Sequence, residues 1–282
     1  MTCEEDISVV MQCKGRSRHV LESITALGEM FPNIIVVDYN CPENVSEIIK
    51  KRHPGITCVK DSKDPLYNAS KARNLGLREV KTHLTFFKDA DIIPTPEFIE
   101  KTKSINFDEY FLLMGENRAY GANGSVVVKT EAAKKIEGYD EFFYGYGQQD
   151  IDFFERLKMI GLRPLYLKNE PLKILPHSVA QRSIFHPISR KEALLRNRIY
   201  GYIKRDIMAL RREYLLSTKQ RQSLRKKCDS AVNQAFHAKL NEVRIKTSPE
   251  LSEAEYFLAQ NGGVGFTGGA QIKRTVEYTF LL

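Results

Sequence analysis

Thr85-Phe86-Phe87-Lys88-Asp89-Ala90-Asp91-Ile92-Ile93 is an apolar run broken by two carboxylates one residue apart and closed by Pro94. Read as a strand that reaches a sheet edge, its period-two alternation places Asp89 and Asp91 on the same side. Two carboxylates that close repel, unless a divalent cation with oxygen ligands holds them against a phosphate. A D-x-D at a strand end is therefore a candidate metal–diphosphate site. A surface turn spells the same three letters, so the neighbouring sequence has to decide.

Upstream, Ile7-Ser8-Val9-Val10-Met11 is a short β-rich run followed by the polar, basic stretch Gln12 to Arg18. Leu21, Ile24 and Leu27 then recur at helical spacing. A second buried-type strand, Asn33 to Asp38, ends in a carboxylate and the turn Tyr39-Asn40-Cys41-Pro42. Val45, Ile48 and Ile49 mark a helix, Ile56 to Val59 a strand, and a further helix begins near Asn68. Strands with continuous apolar runs, alternating with helices, predict a mostly parallel sheet covered on both faces. In such sheets ligands bind at the carboxyl ends of the strands. The segments after Met11, Asp38 and Phe87 share that edge.

Downstream, Tyr110 to Met114 and Ser125 to Val128 read as strands around the turn-rich Gly115 to Gly124. Gly138 to Gly147 is dense in glycine and aromatics and opens a helix near Gln148. On that helix Asp150, Phe153, Phe154 and Leu157 share one face, which points Asp150 inward and leaves Asp152 roughly opposite, toward solvent. Short strands follow near Leu165 to Leu167 and Leu172 to Leu175, then Pro176-His177-Ser178 and His186-Pro187. From Lys191 to about Lys239 the chain reads as long basic helix with an apolar stripe at Leu194, Leu195, Ile199, Ile203 and Leu210. Asn261 to Gly269 is a glycine-rich turn or hairpin, without the flanking strand and helix of a phosphate loop.

The 282 residues are 42% hydrophobic and 28% charged, the values of an ordinary globular protein. No window reaches the roughly 18 consecutive apolar residues of a membrane span. The acidic start Met1 to Asp6 lacks the apolar core of a secretory signal. Five cysteines without a C-x-x-C pair argue for a reducing, cytoplasmic setting and against a cysteine metal site. Charge is unevenly placed: residues 190–282 carry 18 Lys and Arg against 9 Asp and Glu, a net +9, which leaves residues 1–189 at −1 of the chain's +8. Two domains follow, an α/β domain over 1–189 and a basic, mainly helical extension over 190–282.

Several stretches now match one pattern in order. Gly138-Tyr139-Asp140-Glu141, followed by Gly145-Tyr146-Gly147-Gln148-Gln149-Asp150-Ile151-Asp152 and Arg156-Leu157, resembles the G-[FW]-D-E…G-W-G-x-E-D-x-D…R-L signature of galactosyltransferases. Tyr67-Asn68-Ala69-Ser70-Lys71-Ala72-Arg73-Asn74-Leu75-Gly76 is similar to the A-R-N-x-G helix of the nucleotide-sugar glycosyltransferases of the GT-A fold, family 2-like group. The resemblance spans about residues 6–190 and implies a Rossmann-like GT-A domain. It implies metal binding by Asp91, with Asp89 on ribose or a metal-bound water, and a metal-binding His177, His186 being the reserve. Such a donor set suits Mn²⁺ or Mg²⁺. Asp38 would hydrogen-bond the base or ribose. Gln12, Lys14 and Arg16 would wrap the nucleotide, and Tyr67, Asn68, Lys71 and Arg73 would line the base and phosphate side. Asp150 matches the general base of an inverting transfer. On the acceptor side Tyr146 stands where the pattern has Trp, and Gln149 where it has an acid.

The function implied is transfer of a sugar from a nucleoside-diphosphate sugar, UDP-linked, to an acceptor hydroxyl in surface glycan synthesis. The acceptor would be a glycan or lipid-linked sugar, and the basic extension would dock on an anionic membrane. A second reading keeps the chemistry but makes the acceptor a hydroxylated DNA base, with the extension on phosphates and the base flipped toward Asp150. A third is a non-catalytic nucleotide-sugar or nucleic-acid binding protein.

Overall fold

The Val- and Ile-rich runs become adjacent strands because only a sheet covered on both faces buries residues of successive alternation. The computed structural model describes residues 6–28, 30–61, 64, 66–114, 124–167, 172–175, 185, 188–247 and 276–282. They fall into two compact units, Met1–Asn197 and Arg198–Leu282.

The first unit is built on a seven-stranded sheet of order β3-β2-β1-β4-β7-β6-β8. Its strands are β1 (Ile7–Cys13), β2 (Asn33–Tyr39), β3 (Thr57–Asp61), β4 (Leu84–Phe87), β6 (Tyr110–Met114), β7 (Val126–Lys129) and β8 (Arg163–Leu167). β3, β2, β1 and β4 pair in parallel, β7 is antiparallel to both β4 and β6, and β6 pairs in parallel with β8. The carboxyl ends of β1, β2 and β4 and the amino end of β7 therefore meet at one edge. Val9 stands opposite both Ile34 and Phe86 in the ladder. One face, with Val9, Met11, Val36 and Phe86, packs on Val20, Ile24 and Leu27 of α1 (Ser17–Leu27) and on Phe31 and Phe98. Each such fully buried side chain contributes about 1.5–3 kcal/mol.

The other face receives α3 (Ala69–Glu79), whose Asn68 caps the helix by accepting from the Lys71 amide. Gly76 lets α3 approach closely: a Cβ there would overlap Val10 Cγ1 and stand 3.2 Å from Val37 Cγ2. Beside it Phe87 meets Tyr139 and Phe153 edge-on, at ring-centroid distances of 5.3 and 5.8 Å. Phe153 lies on α6 (Gln149–Met159). The remaining elements of this unit are α2 (Val45–Arg52), α4 (Pro96–Lys103), α5 (Thr130–Lys135), and a small antiparallel pair, β5 (Ile92–Pro94) with β9 (Leu172–Ile174). The first turns of α7 (Arg190–Arg211) complete it.

The second unit contains the rest of α7, α8 (Thr218–His237) and the antiparallel strands β10 (Glu242–Thr247) and β11 (Val276–Leu281). Ile203, Ile207, Met208, Leu216, Leu224, Cys228, Val232, Val243 and Ile245 are buried. The sequence suggested one long helix, and there are two. Arg212 adopts φ 56°, the Glu213 amide bonds the Met208 carbonyl, and Ser217 with Gln220 forms a capping box that starts α8. Leu210, placed in the apolar stripe, is 58% exposed. Among the described residues no helix is long and apolar enough to cross a membrane. The glycine-rich Asn261 to Gly269 lies outside the described residues.

Candidate active site

Strand β4 ends at Phe87, two residues before Asp89, so the D-x-D is a turn rather than extended strand. The Ile92 amide closes it on the Asp89 carbonyl at 3.1 Å, and the Asp89 amide donates to Ser125 Oγ at 3.2 Å. Strand alternation therefore does not govern the two carboxylates. The Asp89 side chain is 33% exposed, whereas Asp91 is 4% exposed.

Arg73 reaches this turn from the middle of α3. Its guanidinium is buried, stacks over Tyr139 with Cζ 4.8 Å from the ring centroid, and faces two carboxylates. Nη2 donates to Asp89 Oδ1 at 3.0 Å and to the Gly124 carbonyl at 3.2 Å, while Nη1 donates to Asp150 Oδ1. Gln12 Nε2 donates to Asp89 Oδ1 at 3.4 Å, and Gln149 Nε2 to Asp150 Oδ2 at 3.2 Å. A continuous chain, Gln12–Asp89–Arg73–Asp150–Gln149, thus crosses the sheet edge. Burial pushes the Asp150 carboxyl up to about 6; Arg73 pulls it back and the Asp89 charge raises it. The Arg73 guanidinium, which burial alone would lower, is held well above its ordinary value by Asp150, Tyr139 and Asp89.

Asp150 thus faces inward, as its helical position required. Asp152, expected in solvent, is 2% exposed. The reason is its partner one turn on: Arg156 Nε donates to Asp152 Oδ2 at 2.8 Å, and Arg156 Nη1 bonds the Ile136 carbonyl, so the pair is buried together.

The remaining candidates line the same edge. Lys14 is buried, with Nζ 3.3 Å from the Asp64 carbonyl and 5.5 and 5.6 Å from the Tyr39 and Phe185 ring centroids. Burial lowers its pKa, and Asp64 opposes that. Lys71 pairs with Asp61 at 2.8 Å and with Asp64 at 3.6 Å. Tyr67 meets Tyr39 edge-on at 5.7 Å, and its amide bonds the Phe185 carbonyl at 3.0 Å. Burial raises the Tyr67 hydroxyl, while the nearby charges of Arg73 and Arg16 lower it. Arg16 is the N-cap residue of α1. Asn68 Nδ2 donates to the Glu141 carbonyl at 2.9 Å. Asp38 is fully buried, and both its oxygens are committed to backbone, Oδ1 to the Cys41 amide at 2.8 Å and Oδ2 to the Ser46 amide at 3.1 Å. In this geometry it braces the turn after β2.

Of the residues expected to border an acceptor, Tyr146 lies under Arg190, whose Cζ is 4.1 Å from the ring centroid and whose Nη2 donates to Tyr146 Oη at 2.7 Å. Asn197 Nδ2 holds the carbonyls of Tyr144, Tyr146 and Gly147 and so fixes the loop that leads to Asp150.

Sequence reasoning missed three contributors. Gly124 lies against both carboxylates: a Cβ there would stand 3.2 Å from Asp150 Oδ2 and 3.3 Å from Asp89 Oδ2. Tyr139 is Arg73's platform and itself stacks on Phe153 at 4.1 Å. Asn74 bonds the Tyr139 amide and carbonyl, both at 2.8 Å, and locks the Gly138-Tyr139 turn to α3. The A-R-N and G-[FW]-D-E elements were readable separately; their contact was not.

The test of a metal at this edge is its donor set. Among the described residues no group of three His, Cys, Asp or Glu side chains is assembled to hold one. Asp89 and Asp91 are two oxygen donors, a number that suits a hard cation completed by substrate phosphates. The Leu175 amide bonds the Asp91 carbonyl at 2.8 Å. His177 follows Leu175 by two positions, and it and His186 lie outside the described residues.

Residues 104–183 match the family model described as the N-terminal domain of galactosyltransferase. The structure resembles the mannosyltransferase PcManGT from Pyrobaculum calidifontis, in complex with GDP-Man and Mn²⁺, with a TM-score of 0.53 and 14% identity over 83% of this chain and 75% of that one. The fold is that of the GT-A glycosyltransferases. S. aureus TarS 1–349 in complex with UDP-GlcNAc gives a TM-score of 0.52 and 13% identity over 83% and 92% of the two chains. Its complex with UDP gives 0.51 and 12% over 84% and 83%. Among curated proteins none matches this sequence significantly. The GT-A architecture inferred from the motifs is thereby borne out, at identities that establish fold and not substrate.

Proposed function

We propose that this GT-A protein is a metal-dependent, inverting glycosyltransferase that moves a sugar from a nucleoside-diphosphate sugar, UDP-linked, to an acceptor hydroxyl. The observation that carries the reading is the buried Arg73 bridge between Asp89, in the D-x-D turn, and Asp150, at the start of α6. It ties a candidate diphosphate site to an inward carboxylate of raised pKa, which is the pair of groups the reaction needs. The printed ligands of the structural neighbours, GDP-Man with Mn²⁺ and UDP-GlcNAc, support a nucleotide-sugar donor.

In this reading Gln12, Lys14, Arg16, Tyr67, Asn68 and Lys71 hold the nucleotide. A Mn²⁺ or Mg²⁺ ion carried by Asp91, with His177, would stabilise charge on the leaving diphosphate. Asp150 accepts the acceptor hydroxyl's proton on the face opposite the leaving group, so a single displacement inverts the anomeric centre. With a pKa near 6 it is mostly ionised at neutral pH, yet basic enough to take that proton. Arg73 fixes Asp150 Oδ1. Tyr146 and Gln149 border the acceptor, proposed as a glycan or lipid-linked sugar. In the second unit Lys219, Lys226 and Lys227 are exposed on α8 at positions i, i+7 and i+8, a cationic face suited to an anionic surface.

A donor screen tests the reading. Thermal unfolding is followed with UDP, GDP and several of their sugars, with and without Mn²⁺. The expected result is a metal-dependent rise in midpoint with a UDP-sugar that Asp91→Ala abolishes, since a ligand of the native state raises apparent stability by mass action. Stabilisation by no nucleotide sugar under either condition overturns it.

A further inference from the structure

We infer that Cys13 and Cys41 are a peroxide-oxidisable dithiol site, which closes to an intramolecular disulfide at the base of the Gln12–Arg16 loop. Cys13 ends β1 and stands opposite Asp38 in the ladder, and Cys41 lies three residues further along the chain from Asp38. Their sulfurs are 3.6 Å apart across a sequence separation of 28, with both residues buried at 0% and 5% exposure. A disulfide needs a sulfur separation of about 2.05 Å. The sulfurs have about 1.5 Å further to approach, and the strand and turn that carry them are held side by side by the pairing of Cys13 with Asp38.

The two thiols are chemically unequal. Cys41 Sγ accepts the Gly15 amide at 3.3 Å. The Cys13 contact, with the Gly15 and Glu43 amides, lowers the Cys41 thiol against its burial. The Cys41 contact and burial push Cys13 up. Either sulfur can donate in the contact between them, and it is the Gly15 amide on Cys41 Sγ that favours a thiolate there; Cys41 is assigned as the attacking sulfur and Cys13 as the resolving one. The other described cysteines do not share this environment: burial raises Cys58 to about 11 and Cys228 to about 12.

The chemistry balances with hydrogen peroxide as the oxidant. The Cys41 thiolate attacks one peroxide oxygen, the O–O bond breaks, and a sulfenic acid and hydroxide result. Cys13 sulfur then displaces that hydroxyl from Cys41 sulfur; the S–S bond forms, and the hydroxyl leaves as water with the Cys13 proton. The hydroxide takes up the proton Cys41 had lost. Two thiols and one peroxide give one disulfide and two waters. The bond would tie the end of β1 to the turn after β2, with Gly15 bonded to one of its sulfurs, so that the loop carrying Lys14 feels the oxidation state.

Peptide mapping tests this on the full chain. The reduced protein is freed of reductant, treated with hydrogen peroxide under native conditions, quenched with N-ethylmaleimide in denaturant, digested and analysed by mass spectrometry. The expected product is one linked peptide pair containing Cys13 and Cys41, reversed by dithiothreitol, while Cys58 and Cys228 carry maleimide. Cys41→Ser should leave Cys13 alkylated, and Cys13→Ser should leave a Cys41 sulfenic acid that dimedone traps. The inference is overturned if wild-type Cys13 and Cys41 both remain alkylatable after oxidation. It is equally overturned if disulfides join other cysteines, or if Cys41 proceeds to sulfinic acid beside an unreacted Cys13.

Discussion

Removing the charge of Arg73 should raise the pKa of Asp150 and starve the site of base at neutral pH. Arg73 Nη1, on a buried guanidinium, donates to Asp150 Oδ1 of a partly exposed carboxylate, and Asp150 stands at about 6 with that cation present. An opposite charge at such a distance lowers a carboxylate pKa by roughly 1–3 units. Arg73→Met, which keeps much of the apolar stem on Tyr139, should therefore lift Asp150 by roughly that amount, to about 7–9. Each unit above the working pH reduces the ionised fraction about tenfold and corresponds to about 1.4 kcal/mol. Arg73→Lys keeps a charge but not the fork, and its shift should be smaller. The assay is a carboxyl ¹³C NMR titration, with Asp150 assigned by its loss in Asp150→Asn, paired with the pH dependence of donor turnover. The linkage sign follows: folded Asp150 holds its proton to higher pH than the unfolded carboxyl, whose reference value is 3.8, so its ionisation lowers stability as pH rises from there to about 6. In Arg73→Met that window should extend upward. A midpoint that stays or falls in Arg73→Met, or a Lys variant that shifts as far as Met, refutes the reasoning.

Gly124→Ala places a methyl between Asp89 and Asp150, and donor turnover should fall at least about tenfold while the unfolding midpoint changes little. Gly76→Ala should destabilise by about 1–3 kcal/mol in urea titrations despite alanine's better helix propensity, because its Cβ overlaps Val10. Lys88 is fully buried on Ser23 Oγ at 2.6 Å, and burial lowers it to about 7, against attraction by Asp89 and Asp91. The unfolded chain then holds a proton that the folded chain lacks between about pH 7 and 10.5, so this residue makes stability rise with pH across that window; urea midpoints of Lys88→Met at the two ends should show a flatter rise. Phe153→Ala removes the ring beneath Tyr139 and should cost about 3–5 kcal/mol, measured by denaturant unfolding.

The parallel half of the sheet was legible because Val9–Val10, Ile34–Val37 and Phe86–Phe87 are continuous apolar runs, and a strand buried on both faces has to be one. Asp150's inward aim was legible from its three- and four-residue spacing to Phe153 and Phe154. The same wheel misplaced Asp152, because helical periodicity knows nothing of Arg156 folding back over it. The D-x-D was found by spacing, but its geometry was misread: the strand stops at Phe87, and a turn closed by Ile92 sets the two aspartates in different environments. Arg73 was expected on the base and phosphate side from its motif; the motif gave no sign of its hydrogen bonds to Asp89 and Asp150. Contacts over 77 residues of sequence, such as Arg73 with Asp150, carry no local signal. The break between α7 and α8 could have been read from Ser217-x-x-Gln220, a capping box inside a run that otherwise looks like uninterrupted helix.

In the proposed function a divalent cation and a nucleoside diphosphate share the edge held by Asp89 and Asp91. Crystals grown with UDP and Mn²⁺, and measured for manganese anomalous scattering, test it most directly. The expected result is an anomalous peak bonded to an Asp91 carboxylate oxygen and to diphosphate oxygens, at the carboxyl ends of β1 and β4 and on the same side as Asp150. UDP bound at that edge without manganese, or manganese bound away from Asp91, would contradict it.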